Sequence, residues 1–361
     1  MKMKLLHAAD LHLDSRFAGL PPEKAAIKRA QQRQTVCRLS EQCRDTGCQL
    51  LLLAGDLFDG AHIYRDTVDD LIDALASCGA EVFIAPGNHD CLLPGSPYLT
   101  EHWPENVHIF TSEQIQCVTL EALGCRVYGA GFRSEHPASL LEGFRAVQDG
   151  LCNLMVLHGE AGNPASTYNP VTAAQIEASG LDYLALGHIH AAGQLRAGKT
   201  LCAWPGCLMG RGFDETGEKG ALEVTVSSEG CETRFVPMGA GRYNILTVDA
   251  GGDPLSAIRA VVPSDTENDT YRIILRGECE PPELSALYAV LSPKFFGLEL
   301  QDKTVPPLDL WRAAGEDTLK GVYLRMLKER YDAAPEEERA VIADAARTGL
   351  ALMEQREVPA L

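Results

Sequence analysis

Leu50-Leu51-Leu52-Leu53-Ala54-Gly55-Asp56 is an apolar run that stops at a glycine and a carboxylate, and its form recurs along the first half of the chain. Such a run is too short for a buried helix and lacks polar alternation, so it reads as a strand covered on both faces. Leu5 to Ala9 ends in Asp10-Leu11-His12, and Val82 to Ala85 ends in Gly87-Asn88-His89-Asp90. Leu154 to Leu157 ends in His158-Gly159, and Tyr183 to Leu186 in Gly187-His188-Ile189-His190. Val127 to Ala130 is a sixth run of the same kind. Helical patterns alternate with these runs, which is the signature of an α/β fold.

Working outward, Leu201 to Val236 turns strand-like with Gly-rich turns and predicts closing hairpins. Gly239-Ala240-Gly241 marks a boundary, after which strands at Tyr243 to Val248, Tyr271 to Leu275 and Phe295 to Leu300 alternate with helical Leu255 to Val262 and Pro282 to Leu291. Past Pro306-Pro307 a helix is expected with Leu319, Val322, Tyr323, Met326 and Leu327 on one face. Pro335 to Glu357 is acidic and amphipathic, and reads equally as a helix packed on its own protein or one that binds a partner. The expected organisation is a catalytic domain over 1–240, a small β-α-β-α-β cap over 241–303 and a helical segment over 304–361.

The 361 residues carry a formal charge of −18, which excludes a uniformly basic nucleic-acid coat and requires a local patch or bound cations to meet any polyanion. None of the 12 cysteines forms a Cys-x-x-Cys pair, which fits reduced thiols. The few apolar residues before Asp10 are too few for a signal-peptide core, and no apolar run nears the roughly 20 residues of a membrane helix. A cytoplasmic protein without a membrane partner is therefore expected.

Residues two apart on a strand share a side, so Asp10 with His12, and His188 with His190, can each chelate from one strand end. Glycines before Asp56, Asn88 and His188 allow tight turns there. A lone Asp of this kind is commonly a helix cap, and a lone His a hydrogen-bonded core or surface residue. Five such endings in succession point instead to a metal crevice. Seven oxygen and nitrogen donors without cysteine exceed one tetrahedral zinc and suit two cations about 3.5–4 Å apart that clamp a phosphate ester.

The pattern D-x-H, GD, GNHD, H, GHxH resembles the calcineurin-like metallophosphoesterases. Within them, His7 to Asp14, Gly55-Asp56-Leu57-Phe58-Asp59, Gly187 to His190 and the stretch Trp204 to Gly220 resemble the SbcD-type DNA-repair nucleases, and most of all the bacterial YhaO group. The likeness covers roughly residues 4 to 236. It implies a sandwich of two mixed sheets flanked by helices, with a small α/β cap domain and C-terminal helices. It also implies one metal on Asp10, His12, Asp56 and His190 and a second on Asp56, Asn88, His158 and His188. Manganese is the implied ion, with iron, zinc or magnesium left open.

By the same resemblance His89 serves as the catalytic imidazole, and Asp59 is expected to accept its hydrogen bond and orient it. Arg211 is expected on a backbone phosphate; Asp14 and Arg16 orient His12, touch a phosphate or form a turn salt bridge. His62, Tyr64 and Arg65 are candidates for the mouth of the site, and His7 for a satisfied core histidine. The net-basic Pro22 to Gly47 helix could track DNA, or simply be solvated. The implied function is a DNA nuclease, 3′ to 5′ exonucleolytic with some endonuclease activity, whose bridging hydroxide attacks phosphorus in line. Duplex ends read with little sequence specificity and an SbcC-like coiled-coil ATPase are the implied partners, and pairing of two copies stays open. The alternatives are a phosphatase or phosphodiesterase for small molecules or phosphoproteins, and a scaffold without activity.

Overall fold

The computed structural model describes residues 2–60, 63–239, 241–305 and 310–353. His62, Ala240, the Pro306-Pro307 pair and the end of the last expected helix, past Met353, lie outside them. Two compact units divide the chain: Met1–Leu246 with Pro263–Arg272 and Val290–Glu299, and Thr247–Val262 with Ile273–Ala289 and Leu300–Leu361.

The first unit opens with β1 (Met3–Ala8), α1 (Pro22–Thr46), β2 (Leu50–Leu53), α2 (Arg65–Ala76), β3 (Glu81–Ile84), the one-turn α3 (Pro97–Thr100) and β4 (Val107–Ile109). It continues through β5 (Gln116–Leu120), β6 (Cys125–Gly129), β7 (Cys152–His158), the two-residue strands β8 (Glu160–Ala161) and β9 (Pro170–Val171), and α4 (Ala173–Ser179). Then come β10 (Tyr183–Gly187), β11 (Gly193–Ala197), β12 (Thr200–Trp204), β13 (Gly220–Ser227) and β14 (Gly230–Pro237).

These strands form two six-stranded mixed sheets, in the orders β14-β13-β1-β2-β3-β4 and β11-β12-β10-β7-β6-β5. In the first sheet β1 to β4 run parallel, and the β13–β14 hairpin joins the outer side of β1 antiparallel, with Leu5 opposite Val224. In the second, β6, β7, β10 and β12 run parallel between antiparallel edge strands β5 and β11. All six apolar runs read from the sequence are strands, divided between the sheets as β1, β2 and β3 against β6, β7 and β10.

The division follows from the two-residue period of a strand. Leu5, Leu50, Leu52 and Phe83 face Val127, Leu154, Val156 and Tyr183 in a core between the sheets. The alternate residues Leu6, Leu51, Leu53 and Val82 pack against Val36 and Leu39 of α1 and Leu71 and Leu75 of α2, while Met155, Leu157 and Leu184 pack against Ile176 of α4. Each sheet thus has a helical layer on one side and its partner sheet on the other, so its strands can be apolar throughout. His7 lies within this core, Nδ1 at 2.8 Å from Tyr183 Oη and Nε2 at 3.0 Å from the Leu186 carbonyl, and burial lowers its pKa to about 3. It is the satisfied core histidine expected.

Beyond Gly239 the elements are β15 (Tyr243–Asp249), α5 (Pro254–Val261), β16 (Thr270–Arg276), α6 (Leu284–Leu291) and β17 (Gly297–Asp302), the strands forming a sheet in the order β15-β16-β17. Two helices follow, α7 (Leu319–Ala333) and α8 (Glu336–Met353). Their shared core holds Leu324, Ala343, Ala346 and Leu350, with Tyr323, Leu327 and Tyr331 packed against it. The apolar face expected for α7 is therefore corrected: the seam runs through Leu324, Leu327 and Tyr331, whereas Leu319, Val322 and Met326 are exposed. Helical spacing permits both stripes, and only packing chooses between them. No helix among the described residues is long and apolar enough to cross a membrane. All twelve cysteines are free thiols.

Candidate metal centre

The loops that leave the strand ends are unusually bent. Asp10, His12, Asp56 and His188 take φ values of 52°, 44°, 52° and 92°, the left-handed region that side chains disfavour by about 1–3 kcal/mol each. Backbone hydrogen bonds between the β1 and β2 loops hold two of them there, Asp10 N to Gly55 O at 3.0 Å and His12 N to Asp56 O at 2.9 Å. The glycines that precede Asp56 and His188 act in different ways. Gly55 has φ 85°, whereas Gly187 has an ordinary backbone but no room for a Cβ, which would meet the Ala54 carbonyl.

This bending brings together the seven donors expected from the sequence, taken from the ends of five strands in two sheets. His12 Nε2 lies 3.2 Å from His190 Nε2 and 3.8 Å from Asp56 Oδ2, and His190 Nε2 lies 3.8 Å from Asp10 Oδ1. On the other side of Asp56, the same Oδ2 is 3.4 Å from His158 Nε2. Asn88 Oδ1 then meets His158 Nε2 at 2.9 Å and His188 Nδ1 at 3.2 Å. Asp56 therefore stands between two donor groups, and the clusters Asp10-His12-His190 and Asp10-Asp56-His158 each fall within 4.8 Å.

The hydrogen bonds behind the ligands decide which nitrogen is free. Nδ1 of His12 faces Asp59 Oδ1 at 3.1 Å, Nδ1 of His190 faces Glu215 Oε1 at 2.7 Å, and Nδ1 of His158 faces the Ala54 carbonyl at 2.8 Å. These oxygens only accept, and beside His190 the Glu215 oxygen at 2.7 Å prevails over the Arg211 Nη2 donor at 3.4 Å, so the ring proton sits on Nδ1 and the Nε2 lone pair points inward. Two such lone pairs meet between His12 and His190 at 3.2 Å, a repulsive arrangement that a cation relieves. The donor set thus fits metal ions.

Electrostatics agree. Burial, then the charge of Asp56, pushes the Asp10 carboxyl well above its usual range, and burial with the charge of Asp90 pushes Asp56 up to about 7. Burial lowers His12 to about 3 and His158 and His188 to about 4, so these imidazoles are neutral and ready to bind a cation. Asp90, the last residue of the GNHD motif, points away from the donors. Its carboxylate accepts from the backbone N–H of Gly87 and of Leu57, both at 2.7 Å, and from the Tyr98 hydroxyl, and so ties the Asp56 and Asn88 loops together.

Residues 3–192 match the family model described as calcineurin-like phosphoesterase. The chain belongs to that family. It is 34% identical over 244 residues to the uncharacterized metallophosphoesterase YhaO of Bacillus subtilis, covering 63% of this chain and 58% of that one. It is 23% identical over 207 residues to the DNA double-strand break repair protein Mre11 of Methanopyrus kandleri, covering 52% and 44%. The chain thus spans about half the length of the curated relatives it matches. Among solved structures, a dimetal phosphatase from Danio rerio superposes with a TM-score of 0.42 at 12% identity, over 65% of this chain and 99% of that one.

Calcineurin-like phosphoesterases use a dinuclear metal centre, and the two donor groups on Asp56 are candidate ligand sets for one. His89 sits at the rim of this phosphoesterase site with its side chain 46% exposed, its backbone N–H on Asp56 Oδ1 at 2.9 Å and its ring edge-on to His12 at 4.8 Å. Asp59 differs from expectation in its partner. Its Oδ1 takes the His12 hydrogen bond at 3.1 Å and an Arg211 contact at 3.2 Å, while His89 Nδ1 stays at 3.5 Å. Arg211, expected on a phosphate, is held by Glu215 and Asp59. Arg16 is exposed and pairs with no side chain among the described residues. Asp14 turns away from His12 and receives Tyr64 N and Thr67 Oγ1, both at 2.8 Å, fixing the start of α2. Arg65 pairs with Asp69 and Glu101, and Tyr64 is exposed.

Most of the α1 cations, Arg29 apart, are engaged within the molecule. Lys24 bonds the Phe296 carbonyl, Arg33 pairs with Asp70 at 3.4 Å, Arg38 bonds the Met238 carbonyl at 3.3 Å and Arg44 the Ser77 carbonyl at 2.8 Å. Lys28 is fully buried, its Nζ 4.7 Å from the Phe296 ring centre. Two residues near the ligands escaped sequence reasoning: Glu215 behind His190, and Tyr168, whose ring lies 4.6 Å from that of His188. Each is a single residue in a polar loop and carries no spacing signal.

Proposed function

We propose that the chain hydrolyses phosphodiester bonds in DNA with two divalent cations, manganese by preference. Asp10, His12, Asp56 and His190 would hold one, and Asp56, Asn88, His158 and His188 the other. The observation that carries this reading is the convergence of seven donors on one shared carboxylate beside an exposed imidazole. When bound, the pair supplies positive charge that offsets the acidic site and activates a water for attack on phosphorus. His89 would donate a proton to the leaving oxygen, held in place by its backbone bond to Asp56 with the Asp59 carboxylate 3.5 Å from its ring.

DNA as the substrate is supported by the likeness to an Mre11 whose name gives double-strand break repair as its work. Action from duplex ends, 3′ to 5′, beside a coiled-coil ATPase of the SbcC kind belongs to the same proposal. A second reading, hydrolysis of smaller phosphate esters, is favoured by one observation, the intramolecular engagement of the α1 cations. The test is degradation of end-labelled linear duplex DNA with manganese by the parent, by His89→Ala and in EDTA. Manganese-dependent shortening, reduced about a hundredfold or more in the variant, supports the nuclease. Intact DNA with turnover of a chromogenic phosphodiester moves the substrate to the second reading.

A further inference from the structure

We infer that Glu215, braced by Arg211, is a positioning residue that sets the tautomer of His190 and thereby the affinity of the cation position formed by Asp10, His12 and His190. This rests on the two-cation reading above. Glu215 is 5% exposed, and both of its oxygens are used. Oε1 accepts from His190 Nδ1 at 2.7 Å and from Arg211 Nη2 at 2.9 Å, while Oε2 accepts from the Arg211 backbone N–H at 2.8 Å. Burial works to raise its pKa, but the hydrogen bonds from His190 and Arg211 prevail and hold the carboxyl well below the usual range.

The guanidinium does more than neutralise Glu215. Its Nη1 reaches Asp59 Oδ1 at 3.2 Å, and Asp59 is the carboxylate behind His12. One arginine thus links the two carboxylates that orient the two histidines of the same position, giving the chain His12–Asp59–Arg211–Glu215–His190. Each carboxylate fixes a proton on Nδ1 and so leaves Nε2 bare, at the 3.2 Å His12–His190 separation where a cation would sit. Among the described residues the position formed by Asn88, His158 and His188 shows no such chain; His158 is oriented by the Ala54 carbonyl. Loss of Glu215 should therefore weaken one cation and spare the other. Arg211 is thus committed first to Glu215 and Asp59 in this arrangement.

The test uses the full chain and manganese alone. Equilibrium dialysis with metal analysis is run on the parent, Glu215→Ala and the near-isosteric Glu215→Gln, whose amide oxygen can still accept from His190. A parent that binds no manganese overturns the two-cation reading itself. Given two sites in the parent, the expected result is one of them weakened about 10- to 100-fold in Glu215→Ala with the other unchanged, and partial recovery in Glu215→Gln. Two unchanged sites, or two weakened alike, overturn the positioning role. Nitrogen-15 spectra of the metal-free parent give an independent reading that needs no variant: a proton on Nδ1 of His190 upholds the assignment, and one on Nε2 overturns it.

Discussion

The two halves of the metal centre use similar donors but are braced differently. Behind His12 and His190 stand carboxylates, Asp59 and Glu215, cross-linked by Arg211. Behind His158 stands a neutral carbonyl, and the ring contacts there are aromatic, Phe132 edge-on to His158 at 5.5 Å and Tyr168 against His188 at 4.6 Å. A carboxylate behind an imidazole fixes its tautomer and also raises its basicity, whereas a carbonyl does mainly the first. The carboxylate-braced half should hold its cation more tightly, and the aromatic half should exchange first.

The most severe way to break this contrast is at the residue both halves share. Asp56→Asn should cost both cations and lower phosphodiester turnover about a thousandfold or more, measured by metal content and kcat. One cation retained at parental affinity would mean that Asp56 does not bridge.

Acidity probes the same shared residue by a second route. Protons and cations compete for Asp56, whose pKa is pushed up to about 7 by burial, so lowering the pH through 7 favours the protonated, non-binding form. Asp10, also pushed up by burial and the charge of Asp56, adds to the effect, so manganese affinity should fall at least about tenfold per pH unit below 7 in calorimetric titrations. His158 and His188, lowered to about 4, stay neutral over that interval and add little. A flat profile would place the bound proton elsewhere.

Smaller changes separate the halves. Asp59→Asn should weaken the carboxylate-braced half about tenfold and cut turnover comparably, with the second cation unaffected in dialysis. Phe132→Leu should change affinity in the aromatic half by less than about threefold, since it removes an edge contact and no hydrogen bond. If the two substitutions had equal effects, the difference in bracing would carry no energetic weight.

What sequence reading could see follows the same division between donors and supports. The six apolar runs and the donors at their ends are local patterns, a few residues long, and all of the expected ligands lie together. Which sheet each run joins is not local: β1 to β3 and β6, β7 and β10 look alike as strings, and only the packing of their open faces separates them. The supports were harder to read because each acts through a partner distant in sequence. Asp59 lies 3.5 Å from His89, as its place after Asp56 suggests, but its shorter bond is to His12, 47 residues away in sequence. Glu215 lies within the Trp204 to Gly220 stretch but carries no sign of its role there, and the carbonyl partners of the α1 cations are distant in sequence.

The placement of β1 between β2 and β13 bears on how the protein is born. Emerging early from the ribosome, the strand finds its parallel neighbour within some fifty residues, but its other edge stays open until Gly220–Ser227 is made. Neither cation position is complete before the His188–His190 turn exists, so a partial chain has a bare strand edge and no complete donor set. Contacts this far apart in sequence make for slow assembly and a long window for wrong pairing.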